Sequence, residues 1–140
     1  MKSFTAQTHI SAAPETIWKI ITDAAHYPEW DPWAIRIEGT IALGQTVTAY
    51  TKLSPKRAFP AKVTEFVPNQ KLVWTGGMPL GLFKGVRTFA LTPQADGRVL
   101  FTLTEAFSGP LLPLIAKSLP DMTQPFADFV AGLKARAEAM

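Results

Sequence analysis

The feature that most constrains this chain is a run of alternating apolar and polar residues between Trp33 and Phe107. Successive side chains of a strand point to opposite faces, so a period of two over short stretches predicts strands with one buried face. Glycine- and proline-containing separators interrupt the run. They lie at 39–44, 54–55, 68–69, 79–81 and 93–97. Strands that follow one another through such short turns predict an antiparallel meander of five or six strands.

Elements of both kinds flank this meander. Residues 3–10 alternate and predict a further strand, whereas residues 11–24 predict a short amphipathic helix that must end before Pro28. Residues 121–140 predict a long C-terminal helix, because their apolar positions recur every three or four residues. This order of elements predicts an α+β fold with helices on one face of an antiparallel sheet.

The last hairpin allows a register to be predicted residue by residue. Its loop, Ala95–Gly97, fits a three-residue connection that ends on a left-handed glycine. Counting outward from that loop places Phe89 opposite Leu103 and Arg87 opposite Glu105, with the apolar residues on one face. A two-residue loop would mix apolar and polar residues on each face, since a slip of one residue moves every side chain to the other face.

This register puts a cation and a carboxylate together on the core-facing side of the sheet. Burial of Glu105 alone would be costly, and pairing with Arg87 offsets that cost. Two interpretations stay open. The pair is either a structural ion pair near the end of the sheet or a polar anchor for a ligand in an otherwise apolar cavity.

Composition excludes several classes of protein. The length of 140 residues favours one domain spanning 1–140, and the absence of cysteine excludes disulfides, thiolate metal sites and a cysteine nucleophile. His9 and His26 are the only histidines, so we expect no metal and no cofactor. The net charge of +3 is spread along the chain, with its densest group at 52–62, and we therefore expect no nucleic-acid partner.

The hydropathy pattern predicts no integral membrane segment. No apolar run approaches the ~18 residues that a membrane-spanning helix needs. The N-terminal stretch 1–11 lacks the apolar core of a signal peptide, so we expect a cytoplasmic protein.

An aromatic segment, HYPEWDPW at 26–33, follows the first predicted helix. Pro28 and Pro32 restrict its backbone, and Trp30 and Trp33 each offer a broad apolar face with one indole donor. Two interpretations fit: the tryptophans plug the end of the sheet, or they line the mouth of a ligand site.

Large side chains dominate the predicted inward face. A single helix cannot cover a curved sheet completely, so these side chains either fill the remaining space or surround a cavity. The inward positions are Trp33, Val63, Trp74, Phe89, Phe101, Leu103, Phe107, Met122, Phe126 and Phe129. The apolar loop around Met78 adds a possible gate, membrane-contacting tip or dimer contact.

Five stretches match the pattern of a known family. They are APETIWKIITDAAHYPEWDPW (13–33), VTEFVPNQKLVWTGG (63–77), RTFALTP (87–93), TEAFSGPLLPL (104–114) and LKARAEA (133–139). Through them nearly the whole chain resembles the START-like helix-grip superfamily, also described as SRPBCC or polyketide cyclase/dehydrase and lipid transport. The resemblance implies a seven-stranded antiparallel sheet curved around the C-terminal helix, two short helices between strands 1 and 2, and a hydrophobic tunnel.

The resemblance and the residues together give three hypotheses. The first is binding of a hydrophobic small molecule or lipid between sheet and helix, by a monomer or weak homodimer. The predicted ligand-binding residues are Trp30, Trp33, Val63, Trp74, Met78, Arg87, Phe89, Phe101, Leu103, Glu105, Met122, Phe126 and Phe129. The second is a cyclase/dehydratase-type enzyme in which Glu105, Arg87 or Tyr50 moves protons, although no catalytic constellation is evident. The third is a protein-interaction domain with a filled interior.

Three further sequence features are weaker candidates. Glu65 has inward parity, like Glu105, and two acids on one face can perform acid–base chemistry. His26 is a possible general base, with Glu29 or Asp31 to orient it. Movable loops at 53–60 and 77–84 would gate the cavity.

Overall fold

The computed structural model describes residues 1–140. Its strands are β1 (Lys2–Ile10), β2 (Ala34–Glu38), β3 (Thr46–Thr51), β4 (Phe59–Val67), β5 (Lys71–Gly77), β6 (Lys84–Pro93) and β7 (Val99–Ser108). Its α-helices are α1 (Pro14–Ile21), α2 (Leu112–Ile115) and α3 (Thr123–Glu138). Short 3-10 segments occupy Ala24–Glu29, Pro79–Gly81 and Ala116–Ser118.

All seven strands form one antiparallel sheet in the order β1-β7-β6-β5-β4-β3-β2. The sheet curls into a half-barrel, and α3 packs across its concave face, chiefly over β1. Two short helical segments, α1 and the 3-10 turn at Ala24–Glu29, connect β1 to β2. The expected α+β helix-grip architecture is therefore confirmed.

The β6–β7 hairpin has the predicted register. Phe89 pairs with Leu103 and Arg87 pairs with Glu105. The turn closes on Gly97, whose φ of +88° lies in the left-handed region that glycine adopts without steric cost. The combination of loop chemistry and facial polarity was enough to fix this pairing.

Two register shifts make other parity predictions wrong. One falls between Val63 and Glu65 of β4, and beyond it Glu65 turns outward and pairs with Lys71 at 2.9 Å. The other falls between Ala34 and Arg36, so that Ala34 is buried while Ile35, which alternation from the predicted inward Trp33 would place on the same face, is 36% exposed. An extra residue in one strand reverses the alternation beyond it.

Gly132 allows α3 to approach the aromatic segment closely. A Cβ at this glycine would lie 1.9 Å from the carbonyl oxygen of Trp30. Any side chain there would overlap with backbone, so the glycine sets how deeply α3 sits against the connection between α1 and β2.

The antiparallel order gathers the loops at two ends of the sheet. One end holds the β3–β4 loop, the β5–β6 loop and the segment 109–122 that leads into α3; we call it the open end. The last two of these are joined by a hydrogen bond from Leu111 N to Leu82 O of 2.9 Å. The opposite end holds the β2–β3, β4–β5 and β6–β7 loops.

Candidate functional site

The concave face is packed solid in its half away from the open end. Phe89, Phe101 and Leu103 are completely buried, and Phe129 of α3 is 3% exposed. The rings of Phe101 and Phe129 stack with their centroids 6.3 Å apart. Side chains therefore occupy the space between sheet and helix here, and the expected tunnel does not extend into this half.

Two pockets of the structure lie outside this space. One, of about 350 Å³, opens at the β3–β4 loop and is lined by residues 54–57. Another, of about 70 Å³, lies on the outer side of α3, where His26, Trp30 and Arg136 are among its lining residues. Neither pocket is enclosed between the sheet and α3.

The half of the concave face toward the open end is built from small residues. Gly76 of β5 pairs directly with Gly85 of β6, and Ala61 of β4 flanks Gly76 on its other side. All three are partly exposed and form a floor of small residues; the Phe107 ring and the Glu105 carboxylate lie 3.3–3.5 Å from where a Cβ of Gly85 would stand. Glycine inside a strand often marks a place where a ligand or another backbone approaches. We call this area of small residues, with Arg87, Glu105 and Phe107 beside it, the groove.

The Arg87–Glu105 pair lies at the inner end of the groove. Nη2 of Arg87 donates to Oε1 of Glu105 at 2.9 Å, and Nε donates to the same oxygen at 3.3 Å. The other carboxylate oxygen, Oε2, accepts no hydrogen bond from the protein and lies 3.5 Å from where a Cβ of Gly85 would stand. The pair is partly open to solvent, with side-chain exposures of 22% and 17%.

The surroundings of Arg87 keep it charged. Its guanidinium lies over the ring of Phe126, 5.2 Å from the centroid. Desolvation lowers the pKa of Arg87, but the Glu105 carboxylate outweighs it, so that the pKa lies above the ordinary value for arginine. Asp31 and Tyr27 favour the charged form in the same direction.

Asp31 is a buried carboxylate that the sequence did not single out for this role. It is 9% exposed, and its Oδ1 accepts a hydrogen bond from the backbone N–H of Trp33 at 3.1 Å. Burial raises the pKa of Asp31, while that hydrogen bond and the charge of Arg87 lower it. Asp31, which belongs to the aromatic segment, thus adds a second carboxylate that attracts the Arg87 guanidinium.

Trp33 connects that segment to α3. Its indole Nε1 donates to Oδ2 of Asp128 at 2.8 Å, and Asp128 also accepts from Gln124 at 2.8 Å. Trp33 is only partly buried. Its ring is therefore held in place while part of its surface remains available.

Two other tryptophans carry unpaired donors in the core. Trp30 is 6% exposed and Trp74 is 4% exposed, yet neither indole N–H has a hydrogen-bond partner. An unsatisfied buried donor costs about 1–3 kcal/mol. Trp30 packs against Tyr27 and Phe129 at centroid distances of 4.7 and 4.9 Å, so its ring is core-forming.

Four phenylalanines form a wall along one side of the groove. Phe126 and Phe107 each contact Phe4 edge-on at 6.4 Å, and Phe107 stacks on Phe83 at 5.8 Å. All except Phe126 are partly exposed. This wall runs from the Arg87 guanidinium to the rim at the open end.

The predicted ligand-binding residues divide into those buried in the core and those with exposed surface, and of the latter Arg87 and Glu105 lie at the groove. Those buried in the core are Trp30, Val63, Trp74, Phe89, Phe101, Leu103, Phe126 and Phe129. Those with exposed surface are Trp33, Met78, Arg87, Glu105 and Met122. Phe4, Phe83, Gly76 and Gly85 were not among the residues predicted to bind a ligand. The paired glycines had a detectable signal, since glycines interrupt both β5 and β6.

His26 lies away from the groove, and its carboxylate partner is not Asp31. Its Nδ1 is 2.7 Å from Asp23, and its Nε2 is 3.7 Å from Glu29. All three side chains are about half exposed. No three histidine, cysteine, aspartate or glutamate side chains come together to hold a metal ion. None of the helices has the length and apolarity needed to cross a membrane.

Comparisons with solved structures agree with this architecture. The Zhui aromatase/cyclase from Streptomyces sp. R1128 superposes with a TM-score of 0.75 at 11% identity, covering 98% of this chain and 93% of that chain. A START superfamily protein from Mycobacterium smegmatis gives 0.70 at 17%, covering 98% and 97%. The Aha1 dimer from Colwellia psychrerythraea gives 0.73 at 21%, covering 99% and 97%. At these identities the likeness shows the fold alone.

The comparison with curated protein sequences gave no match. A family model described as polyketide cyclase / dehydrase and lipid transport matches residues 1–138. The match covers every strand and helix described above. This chain therefore belongs to the polyketide cyclase / dehydrase and lipid transport family.

Proposed function

We propose that the protein binds a small, largely apolar molecule in the groove, through apolar contacts and one polar anchor. The carrying observation is the free Oε2 of Glu105 above the glycine floor, beside a wall of partly exposed phenylalanines. Ligand sites in proteins combine apolar walls with a few placed polar groups. The family to which the chain belongs, described as including lipid transport, supports this proposal.

The polar anchor indicates which end of a ligand would lie deepest. Arg87 already donates twice to Oε1, and a carboxylate has two acceptor oxygens. A hydroxyl or amine of the ligand would donate to Oε2, while rings or chains would lie along Phe107 and Phe83. We therefore propose a ligand with a hydrogen-bond donor at one end and an apolar body.

The test is a substitution at Gly85 that places a large side chain in the groove. The leucine of Gly85→Leu would project into the groove; the three atoms nearest to a Cβ there belong to the Phe107 ring and the Glu105 carboxylate, at 3.3–3.5 Å. Thr88→Leu is the matched control, since Thr88 lies on the same strand with opposite parity. Binding of N-phenyl-1-naphthylamine, a neutral fluorescent probe, is titrated in the absence of lipid. Native mass spectrometry of the purified protein detects any retained ligand.

We expect the wild type and Thr88→Leu to bind the probe and Gly85→Leu to bind at least tenfold more weakly. Far-ultraviolet circular dichroism checks that both variants keep the fold. Equal binding by all three proteins would contradict the proposal. It would favour instead a protein-interaction domain, which the packed inner half of the concave face makes the second candidate.

A further inference from the structure

The β5–β6 loop exposes apolar side chains at the open end. Leu80 is 97% exposed, Met78 is 44% exposed and Leu82 is 37% exposed. Single exposed apolar residues are ordinary, but a contiguous group commonly marks an interaction site. These three lie within five consecutive residues, so they form a group.

The backbone holds Leu80 outward in an unfavourable conformation. Its φ of 61° and ψ of 21° lie in the left-handed region, which leucine rarely adopts. The loop is fixed on both sides by hydrogen bonds from Met78 N to Phe83 O and from Leu82 N to Pro79 O. Strained residues of this kind tend to concentrate where a segment has a function.

A fourth exposed apolar side chain lies on the segment that follows β7. Leu114 of α2 is 79% exposed, and the bond from Leu111 N to Leu82 O ties α2 to the β5–β6 loop. Gly109 lies so close that its Cβ would be 2.6 Å from Leu82 O. We call Met78, Leu80, Leu82 and Leu114 the apolar tip.

Basic residues share the open end with the apolar tip. The stretches 52–58, 78–84 (the β5–β6 loop and the first residue of β6) and 109–122 contain five exposed basic side chains, Lys52, Lys56, Arg57, Lys84 and Lys117. They contain one acid, Asp121, which lies near Lys2. Their net charge of +4 exceeds the +3 of the whole chain, so the rest of the molecule is slightly acidic.

We propose that the open end docks on a lipid bilayer with anionic headgroups, the apolar tip entering the headgroup region. Surfaces that combine exposed leucines with lysine and arginine bind in this way, because apolar burial and attraction to anionic lipids add together. A second copy of the chain fits less well. Two open ends meeting face to face would set one charge of +4 against another.

Docking on a bilayer is a separate activity from the proposed ligand binding, and it would bring the groove to the source of an apolar ligand. The groove opens at the same end, so a docked molecule would present the groove to the bilayer. Vesicle binding is measured without ligand and probe binding without vesicles. Failure of either proposal is therefore distinguishable from failure of the other.

The experiment is co-sedimentation with vesicles of phosphatidylcholine alone and with vesicles that also contain phosphatidylglycerol. We expect at least tenfold tighter binding to the anionic vesicles, and weaker binding as salt screens the lysines. Leu80→Asn and Leu114→Asn should each weaken binding severalfold without changing net charge. Asparagine tolerates the left-handed conformation, so Leu80→Asn should keep the fold. Lys84→Ala with Lys117→Ala should cost about fivefold per lysine.

Leu43→Asn is the matched control. Leu43 is 63% exposed in the β2–β3 loop at the opposite end of the sheet, so this variant should bind like wild type. Equal binding to both vesicle types, no binding to either, or equal loss in Leu43→Asn would overturn the proposal. A dimer that Leu80→Asn dissociates, together with absent vesicle binding, would assign the apolar tip to a second copy instead.

Discussion

Replacement of Gly132 by alanine tests how α3 is seated against the aromatic segment. On helix propensity alone, Gly132→Ala should stabilise the protein by about 1 kcal/mol. The added Cβ, however, would stand 1.9 Å from Trp30 O, whereas ordinary contacts begin near 3.4 Å. Helix and segment would have to separate by about 1.5 Å. The obstacle is backbone, which no rotamer change relieves.

Overpacking of this kind costs about 1–3 kcal/mol, and we expect a net destabilisation of about 2 kcal/mol. Urea unfolding followed by tryptophan fluorescence measures it. With a slope of about 2 kcal/mol per molar for a small protein, the midpoint should fall by about 1 M. Ala131→Gly, at the exposed neighbouring position, should cost only its propensity of about 1 kcal/mol.

Helix propensity alone predicts opposite effects for the two variants, a gain in stability for Gly132→Ala and a loss for Ala131→Gly. If Gly132→Ala unfolds at or above the wild-type midpoint, the close contact does not exist and the seating of α3 inferred from it is wrong. If both variants lose stability, the helix favours alanine in general and rejects it only at Gly132.

Three further variants probe the titratable groups. Glu105→Gln should lower the free energy of unfolding by about 1–3 kcal/mol, because Arg87 keeps its charge without a charged partner; a double-mutant cycle with Arg87→Met measures the coupling. The hydrogen bond and the attraction to Asp23 raise the pKa of His26, so its contribution to stability is full below the unfolded pKa of 6.5 and is lost as pH rises through the higher folded pKa. His26→Gln should therefore flatten the dependence of the unfolding free energy on pH in this range. An unchanged pH dependence would contradict the contact between His26 and Asp23. Burial raises the pKa of Asp31, so its charged form opposes folding above the unfolded pKa of 3.8. Asp31→Asn should therefore gain stability relative to wild type as pH rises from 3 toward 6. A relative loss would show that the attraction to Arg87 outweighs burial.

Some features were predictable from sequence because local chemistry decides them. The pairing of Arg87 with Glu105 followed from the loop ending at Gly97 and from the facial polarity of two strands. The long C-terminal helix followed from the spacing of its apolar residues, and Phe126 and Phe129 are indeed buried. In each case several independent signals agreed on one answer.

Other features depend on events that local sequence does not record. The bulge after Val63 turned Glu65 outward, yet an extra residue in one strand leaves no periodic signal of its own. The left-handed Leu80 departs from the usual preference for glycine or asparagine, so a tertiary constraint holds it. Asp31 became part of the polar group only because the chain reversal brings the aromatic segment toward Arg87.

The position of the groove depends on strand pairing. The sequence left open whether the large inward side chains fill the space they face or surround a cavity, and Phe89 and Phe101 fill it. Room on a concave face depends instead on where inward positions lack side chains, and that occurs where Gly76 meets Gly85 across two strands. Each glycine alone would only weaken its strand, and it is their pairing that leaves a continuous area without side chains. Strand register, more than residue size, therefore locates the groove on this curved sheet.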